Sequence, residues 1–147
     1  MIGNALKVPI GYFFETSDSS AEQSDEQSGS QYVSNRLSPV VHENQRKVLS
    51  PGKGVTFFLL NPNLQGPIEF IYNIYEPGSG TGERLYTHIG NECGLILEGE
   101  LVVQIEDEKY YLKKGDSITF DSAKPHAKFN ASDSRCVCVW ANTPPYF

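Results

Sequence analysis

From residue 36 onward, short apolar runs alternate with clusters of turn-forming residues. The clusters contain Gly, Pro, Asn or Asp, which favour tight turns, and lie at 50–54, 61–63, 76–80, 106–108 and 113–116. The apolar runs between them predict nine strands, at Gln45–Leu49, Val55–Leu60, Ile68–Tyr75, Gly94–Leu97, Leu101–Ile105, Tyr110–Leu112, Ser117–Phe120, Ala127–Asn130 and Cys136–Ala141. Many short strands at this spacing indicate an all-β sandwich or barrel.

The first 35 residues have a different pattern. Apolar residues near the start have helical spacing until Pro9 ends it, which predicts a short helical segment at 1–15. Residues 16–31 contain no large apolar side chain, so burial cannot offset their ordering entropy. We therefore expect a helical segment at 1–15, a flexible acidic linker at 16–35 and one globular domain at 36–147.

Charge is distributed unevenly along the chain. The net charge is -6, and four of these negative charges belong to the first 35 residues. Neither part has the basic stripe that contact with DNA phosphates requires, so this chain is not expected to bind nucleic acid by itself. The sequence has no apolar run of about 18 residues and no secretory signal. We expect a cytoplasmic protein with no membrane contact.

The three cysteines, Cys93, Cys136 and Cys138, form a small set with an odd number of members. A zinc site would need more ligands at closer spacing. We therefore expect buried thiols that act as small apolar side chains.

Candidate chemistry lies in two polar stretches. In the first, His88 and Glu92 stand four residues apart, and on an extended chain they would share a face with Tyr86. In the second, His126 and Lys128 share a face in the same way. Two imidazoles and one carboxylate are a workable shell for a divalent transition metal. A hydrogen-bonded polar pocket without metal is the alternative, and both stay open.

The full pattern is His88-(x)3-Glu92-(x)6-Gly99, then Gly115-Asp116, then Pro125-His126-(x)3-Asn130. It resembles the motifs of the cupin family, which implies a double-stranded β-helix, or jelly-roll barrel. Matched residue by residue, His88 takes the second histidine position, Glu92 the glutamate and His126 the third histidine. The resemblance implies a divalent metal (zinc, iron, manganese or nickel) at these three residues.

Tyr86 stands at the position of the first family histidine. A phenol coordinates metal poorly at neutral pH, because its pKa lies near 10. This departure gives the metal-free pocket the same weight as the metal site.

A second resemblance concerns the whole chain. It is carried by Glu76-Pro77-Gly78, Thr81-Gly82-Glu83-Arg84, Leu97-Glu98-Gly99-Glu100-Leu101 and the closing Asn142-Thr143-Pro144-Pro145-Tyr146-Phe147. These segments are similar to the sensor half of helix-turn-helix–cupin transcriptional regulators, especially the putrescine-responsive repressors. The resemblance implies a homodimer that binds a small-molecule effector. Residues 1–15 resemble only the last stretch of the DNA-binding module, so we expect the rest of that module to be missing from this chain.

Two functions are therefore under consideration, besides a structural interaction domain whose barrel serves only to dimerise. The first is effector sensing, in which a polyamine, amino acid or organic acid enters the barrel. The residues expected to contact it are Arg84, Tyr86, His88, Glu92, His126, Lys128 and Trp140. Glu92 would suit a diamine, whereas Arg84 and Lys128 argue equally for a carboxylate. The alternative is a metal-dependent cupin enzyme, a dioxygenase or isomerase, with its metal at His88, Glu92 and His126. The sensor hypothesis assigns no catalytic residue.

Overall fold

A computed structural model of the chain describes residues 38–145. A short 3₁₀ helix at Glu43–Gln45 precedes nine strands. The strands are β1 (Lys47–Gly52), β2 (Val55–Leu59), β3 (Glu69–Tyr75), β4 (Asn91–Glu98), β5 (Glu100–Ile105), β6 (Glu108–Lys113), β7 (Ser117–Asp121), β8 (His126–Phe129) and β9 (Cys136–Thr143). Each predicted strand is present within this range, and the all-β prediction is confirmed. The predicted helical segment at 1–15 and linker at 16–35 lie outside the described residues.

The strands form two antiparallel sheets. The larger sheet has the order β1-β2-β3-β9-β4-β7, and the smaller has the order β6-β5-β8. Side chains alternate between the two faces of each strand, so one face of each sheet can be buried. Buried apolar residues from both sheets, including Phe57, Ile96, Val103 and Trp140, form one core cluster. The two sheets therefore close around a shared interior.

Glycine closes two of the turns that the sequence pattern marks. Gly99, between β4 and β5, has φ +77, and Gly115, before β7, has φ +91. Side chains are strained in this left-handed region, whereas glycine enters it without cost. At Gly99 a Cβ would also lie 2.3 Å from the carbonyl oxygen of Arg135, so the backbone packs too closely there for a side chain.

The segment before β4 differs from a regular strand. β4 begins at Asn91 rather than at Gly94, and residues 84–90 make only an isolated bridge between Tyr86 and His126. Gly90 has φ +112, and a Cβ there would lie 1.9 Å from the carbonyl oxygen of Thr143. This bend interrupts the simple alternation that would place Tyr86 and Glu92 on one strand.

Cysteine burial only partly matches the prediction. Cys136 and Cys138 are buried in the core, as expected, but Cys93 is exposed. Cys93 alternates with the inward-facing Glu92 and Gly94 on β4, so its side chain lies on the outer face of the larger sheet. Within residues 38–145, no helix has the length and apolar character needed to span a bilayer.

Candidate functional site

Glu92 is the centre of the polar interior. Its side chain is 1% exposed and has four side-chain nitrogens around it. Oε1 accepts a hydrogen bond from Trp140 Nε1 at 2.6 Å and lies 2.8 Å from Lys128 Nζ. Oε2 lies 2.5 Å from His88 Nε2 and 2.7 Å from His126 Nε2. A buried carboxylate is stable only when it is paired in this way.

The strand register explains how Trp140 reaches Glu92. β4 pairs with β9, and Gly94 lies directly opposite Trp140. A Cβ at Gly94 would lie 2.0 Å from Cε3 of the indole ring, so only glycine leaves room for the ring here. Trp140 therefore lies over the backbone of β4 and directs its N–H to the carboxylate of Glu92.

The irregular segment before β4 is attached to β8 through its backbone. Tyr86 and His126 exchange two backbone hydrogen bonds, of 3.0 and 2.9 Å, and His88 N–H donates to the carbonyl of Ser122. The Tyr86 and His126 rings lie 4.6 Å apart between centroids. These contacts bring His88 and His126 together on Glu92, although only His126 and Glu92 lie on strands.

Lys128 lies on β8, two residues after His126, and its ammonium is buried with Glu92. Nζ also lies 4.5 Å from the centroid of the Trp140 ring, a favourable position for a cation. Burial alone would lower the pKa of Lys128, but the negative charge of Glu92 outweighs it and raises the pKa above 10.5. The two groups therefore form a charged pair at neutral pH.

The pKa of Glu92 shifts in the complementary direction. Burial by itself raises it, but the charge of Lys128 and the close approach of the His126 and His88 imidazoles together bring it well below 4.5. For Tyr86, burial raises the pKa above 10, and the charge of Lys128 offsets this only in part. The Tyr86 phenol is therefore neutral, which agrees with its weakness as a metal ligand.

His126 has a buried nitrogen that suits a metal ion. Its Nδ1 lies 2.8 Å from the carbonyl oxygen of Lys124, and because a carbonyl only accepts, Nδ1 carries the hydrogen. Nε2 faces Oε2 of Glu92 at short distance but makes no hydrogen bond of acceptable geometry. Ligand atoms of His88, Glu92 and His126 all lie within 4.8 Å of one another. These three donors fit a divalent cation.

A cavity of about 20 Å³ lies beside these groups and is lined by Asn73, Tyr86, Glu92, Lys128, Trp140 and Asn142, among others. That volume holds about one water molecule. The interior is therefore closed to a ligand of several atoms in this conformation.

Both the fold and this site have counterparts among known proteins. The family model for the cupin domain (Cupin_2) matches residues 72–142, a range that contains Glu92 and all of its partners. The chain carries a cupin domain.

The curated relatives that the chain resembles are transcriptional regulators. The chain is 37% identical over 111 residues to the HTH-type transcriptional regulator PuuR of Escherichia coli, and equally to that of Shigella flexneri. The match covers 74% of this chain and 60% of each relative, so the chain spans well under the full length of those proteins. The predicted resemblance to helix-turn-helix–cupin regulators is confirmed.

Solved structures confirm the cupin fold. The Cupin_2 domain of an XRE family transcriptional regulator from Enterobacter cloacae matches with a TM-score of 0.56 at 22% identity, covering 63% of this chain and 99% of that one. Hydroxypropylphosphonic acid epoxidase from S. wedmorenis matches with a TM-score of 0.61 at 18% identity, covering 70% and 58%. The same cupin fold thus occurs in regulators and in enzymes.

Six of the seven side chains predicted to contact an effector come together around the Glu92 carboxylate. They are Tyr86, His88, Glu92, His126, Lys128 and Trp140. The seventh, Arg84, is exposed and lies in the irregular segment, so the structure does not bring it to this group. Trp140 belongs both to the apolar core and to the cavity wall.

Three further polar side chains of the cupin interior are absent from the sequence-based set. Asn73, Glu69 and Asn142 are at most 4% exposed. Asn142 donates a hydrogen bond from Nδ2 to Oε2 of Glu69 at 2.5 Å. The side-chain oxygens of Asn142 and Asn73, Oδ1 in both, accept no hydrogen bond. The sequence carries a signal for two of them, since Glu69 and Asn73 lie on the same face of β3 as the buried Ile71.

Proposed function

We propose that this cupin domain senses a small polar effector for a transcriptional regulator. The observation that carries the proposal is the closed polar interior around Glu92, together with the similarity to regulators of the helix-turn-helix class. DNA would be contacted through a helix-turn-helix module outside the cupin domain. Tyr86, His88, Glu92, His126, Lys128 and Trp140 would form the effector site.

The closed cavity suits a switch. A space of about 20 Å³ cannot take a metabolite, so binding requires a rearranged barrel in which the effector replaces present contacts. An effector shifts a conformational equilibrium only if it binds one state better than the other. The need to open the interior provides that difference in affinity.

The distribution of charge favours an amine as the effector. Besides His126, the buried ionisable side chains among the described residues include the carboxyl of Glu92, which lines the cavity, and the ammonium of Lys128. Arg84, which would suit an organic acid, is exposed, and Lys128 is already paired with Glu92. The free acceptor oxygens of Asn73 and Asn142 would receive N–H donors.

A thermal-unfolding screen tests this effector class. Linear diamines, amino acids and organic acids would each be added to the purified chain. We expect an amine to stabilise the fold, by about 2.7 kcal/mol at a concentration 100 times its dissociation constant. Trp140 is the only tryptophan in the chain, so its emission should change at the same concentrations.

Two variants separate specific binding from general effects. Asn73→Leu should weaken the response to the amine, because it removes a buried acceptor. Arg84→Met is the matched control at an exposed position and should leave the response unchanged. Stabilisation by organic acids alone, or by no compound at all, would refute the proposed effector class.

We also propose that the cupin domain forms a homodimer through the outer face of its larger sheet. A continuous apolar row crosses this face, with neighbouring residues paired in register: Val48, Phe58, Tyr72, Val139 and Leu95. Val48 is 45% exposed and Leu95 39%. We propose a second copy of the chain as the partner, because the resemblance to this class of regulators implies a dimer. In a two-fold symmetric dimer the same face of each copy can pack against the other.

Light scattering with size-exclusion chromatography tests the dimer. Leu95→Lys should weaken the dimer by about 30-fold, since a buried charge replacing an apolar interface residue costs about 2 kcal/mol. Tyr111→Lys is the control, because Tyr111 is 73% exposed but lies on the smaller sheet. A monomeric wild-type protein, or equal effects of the two variants, would argue against this interface.

A metal-dependent cupin enzyme, a dioxygenase or isomerase, is the second candidate. The buried Nε2 of His126 favours it, and a divalent ion at His88, Glu92 and His126 would supply Lewis acidity. Both oxygens of Glu92 are already contacted, however, and the cavity has no room for a substrate. Stoichiometric iron or manganese in purified protein would shift the balance toward this candidate.

A further inference from the structure

Lys128 occupies the polar interior even when no effector is bound. It extends from the same strand as His126 and reaches the same carboxylate, with Nζ 2.8 Å from Oε1 of Glu92. Its side chain is 8% exposed, and the indole ring of Trp140 covers the ammonium at 4.5 Å. A lysine on the surface would be flexible and exposed to solvent, whereas the ammonium of Lys128 is held at one position beside Glu92.

We propose that Lys128 sets the affinity of this site for divalent metal ions. Its ammonium neutralises Glu92 in place of a divalent cation and so keeps the metal affinity of His88, Glu92 and His126 low. In this conformation the chain thus supplies its own cation to Glu92.

Electrostatics is the first reason. The three donors would hold a divalent ion on the Oε2 side of Glu92, while Lys128 is fixed on the Oε1 side of the same carboxylate. Like charges that share one carboxylate repel each other, and burial strengthens this repulsion because little water screens it. In this conformation the Lys128 ammonium is enclosed between Glu92 and Trp140, so the positive charge stays beside the carboxylate.

Charge balance is the second reason. With Lys128 present, Glu92 has a cationic partner and needs no metal. Without it, a buried carboxylate would remain beside two imidazoles, and an unpaired buried charge is strongly unfavourable. A divalent ion would relieve that cost. The neutral Tyr86 also keeps the metal affinity low, because it adds no strong ligand to His88, Glu92 and His126.

Metal titration tests this role directly. The full chain would be freed of metal with a chelator and titrated with Mn²⁺ and Zn²⁺ by calorimetry. We expect Lys128→Met and Lys128→Gln to bind at least about tenfold more tightly than the wild type, because both remove the buried positive charge. Lys128→Arg, which keeps the buried positive charge, should not show this tenfold gain.

Two controls locate the effect. Lys124→Met removes an exposed lysine close to His126 and should leave metal affinity unchanged. The double variant Lys128→Met/Glu92→Gln should lose the gain, which shows that the ion binds at Glu92 and not at the exposed Cys93. Unchanged or weaker binding by both neutral variants would overturn the proposal, as would an equal gain in Lys128→Arg.

Folding of the variants is informative as well. If the neutral variants fold only when Mn²⁺ or Zn²⁺ is present, the ion has replaced the missing ammonium, as the proposal expects. If they remain unfolded with both metals while the wild type is stable, the ammonium is needed for packing alone, and the proposal fails.

Discussion

Replacing Glu92 with glutamine is expected to lower the free energy of unfolding by about 3–5 kcal/mol, because a buried charged partner would be left unpaired. Glu92 neutralises the ammonium of Lys128 and accepts the N–H of Trp140. Glutamine keeps the shape and one acceptor oxygen but removes the negative charge. Denaturant unfolding followed by circular dichroism measures the loss.

The double variant Glu92→Gln/Lys128→Met is the matched control. Removing both members of a buried pair is often nearly neutral, so the double variant should recover most of the stability. A cost below about 1 kcal/mol for Glu92→Gln alone, or a double variant no better than the single one, would contradict the buried ion pair.

Acidification gives an independent measurement of the same carboxylate. The pKa of Glu92 is lower in the folded state than its unfolded value of about 4.3, so the unfolded state binds the proton more readily. Its contribution to stability is complete above that unfolded pKa and is lost as the pH falls through the folded pKa. The wild type should therefore lose more stability on acidification than the double variant does.

Replacing Gly94 with alanine is expected to cost about 3 kcal/mol or more, through overpacking and loss of a buried hydrogen bond. The new Cβ would lie 2.0 Å from the indole of Trp140, which would have to leave its place over β4. The N–H bond to Glu92 would break, and the ring would no longer cover Lys128. Denaturant unfolding gives the stability, and tryptophan emission reports the displaced ring.

Gly66→Ala provides the control for Gly94→Ala. A Cβ at Gly66 would meet no atom within 4 Å, and its φ is ordinary, so the change in unfolding free energy should stay within about 0.5 kcal/mol. An unchanged emission spectrum in Gly94→Ala would show that the ring does not lie over β4.

The strands were predictable because the chain encodes them locally. On β2 and β3, inward and outward positions alternate with a period of two, and turn residues mark their ends. The hairpin from Leu101 to Leu112 follows from two apolar runs around a short acidic turn, and its strands pair in that register. The spacing of the cupin motifs likewise predicts that His88, Glu92 and His126 share one site, and their ligand atoms do lie together.

The contacts of Glu92 with Lys128 and Trp140 were not predictable in the same way. Trp140 is 48 residues away from Glu92 in sequence, and its position depends on the register of β9 against β4. The sequence could not show whether Lys128 contacts a carboxylate or an effector. That distinction depends on which side chains the closed barrel brings within a few ångströms.

Arg84 shows the limit of alternation as a guide. A regular strand would place it on the same face as Tyr86, but residues 84–90 belong to no strand and make only an isolated bridge between Tyr86 and His126. The chain there follows backbone hydrogen bonds to β8 rather than a continuous ladder. Arg84 is consequently exposed, and the sequence argument for an anionic effector loses one of its two cations.

A crystal structure of the chain with its most stabilising amine would test the central claim most directly. The claim is that the cupin interior around Glu92 is the effector site. We expect density for the compound inside the barrel, with an amine nitrogen within hydrogen-bond distance of Glu92, Asn73 or Asn142 and with Lys128 or Trp140 displaced. An amine bound only on the outer surface, with the contacts between Glu92 and Lys128 unchanged, would contradict the claim.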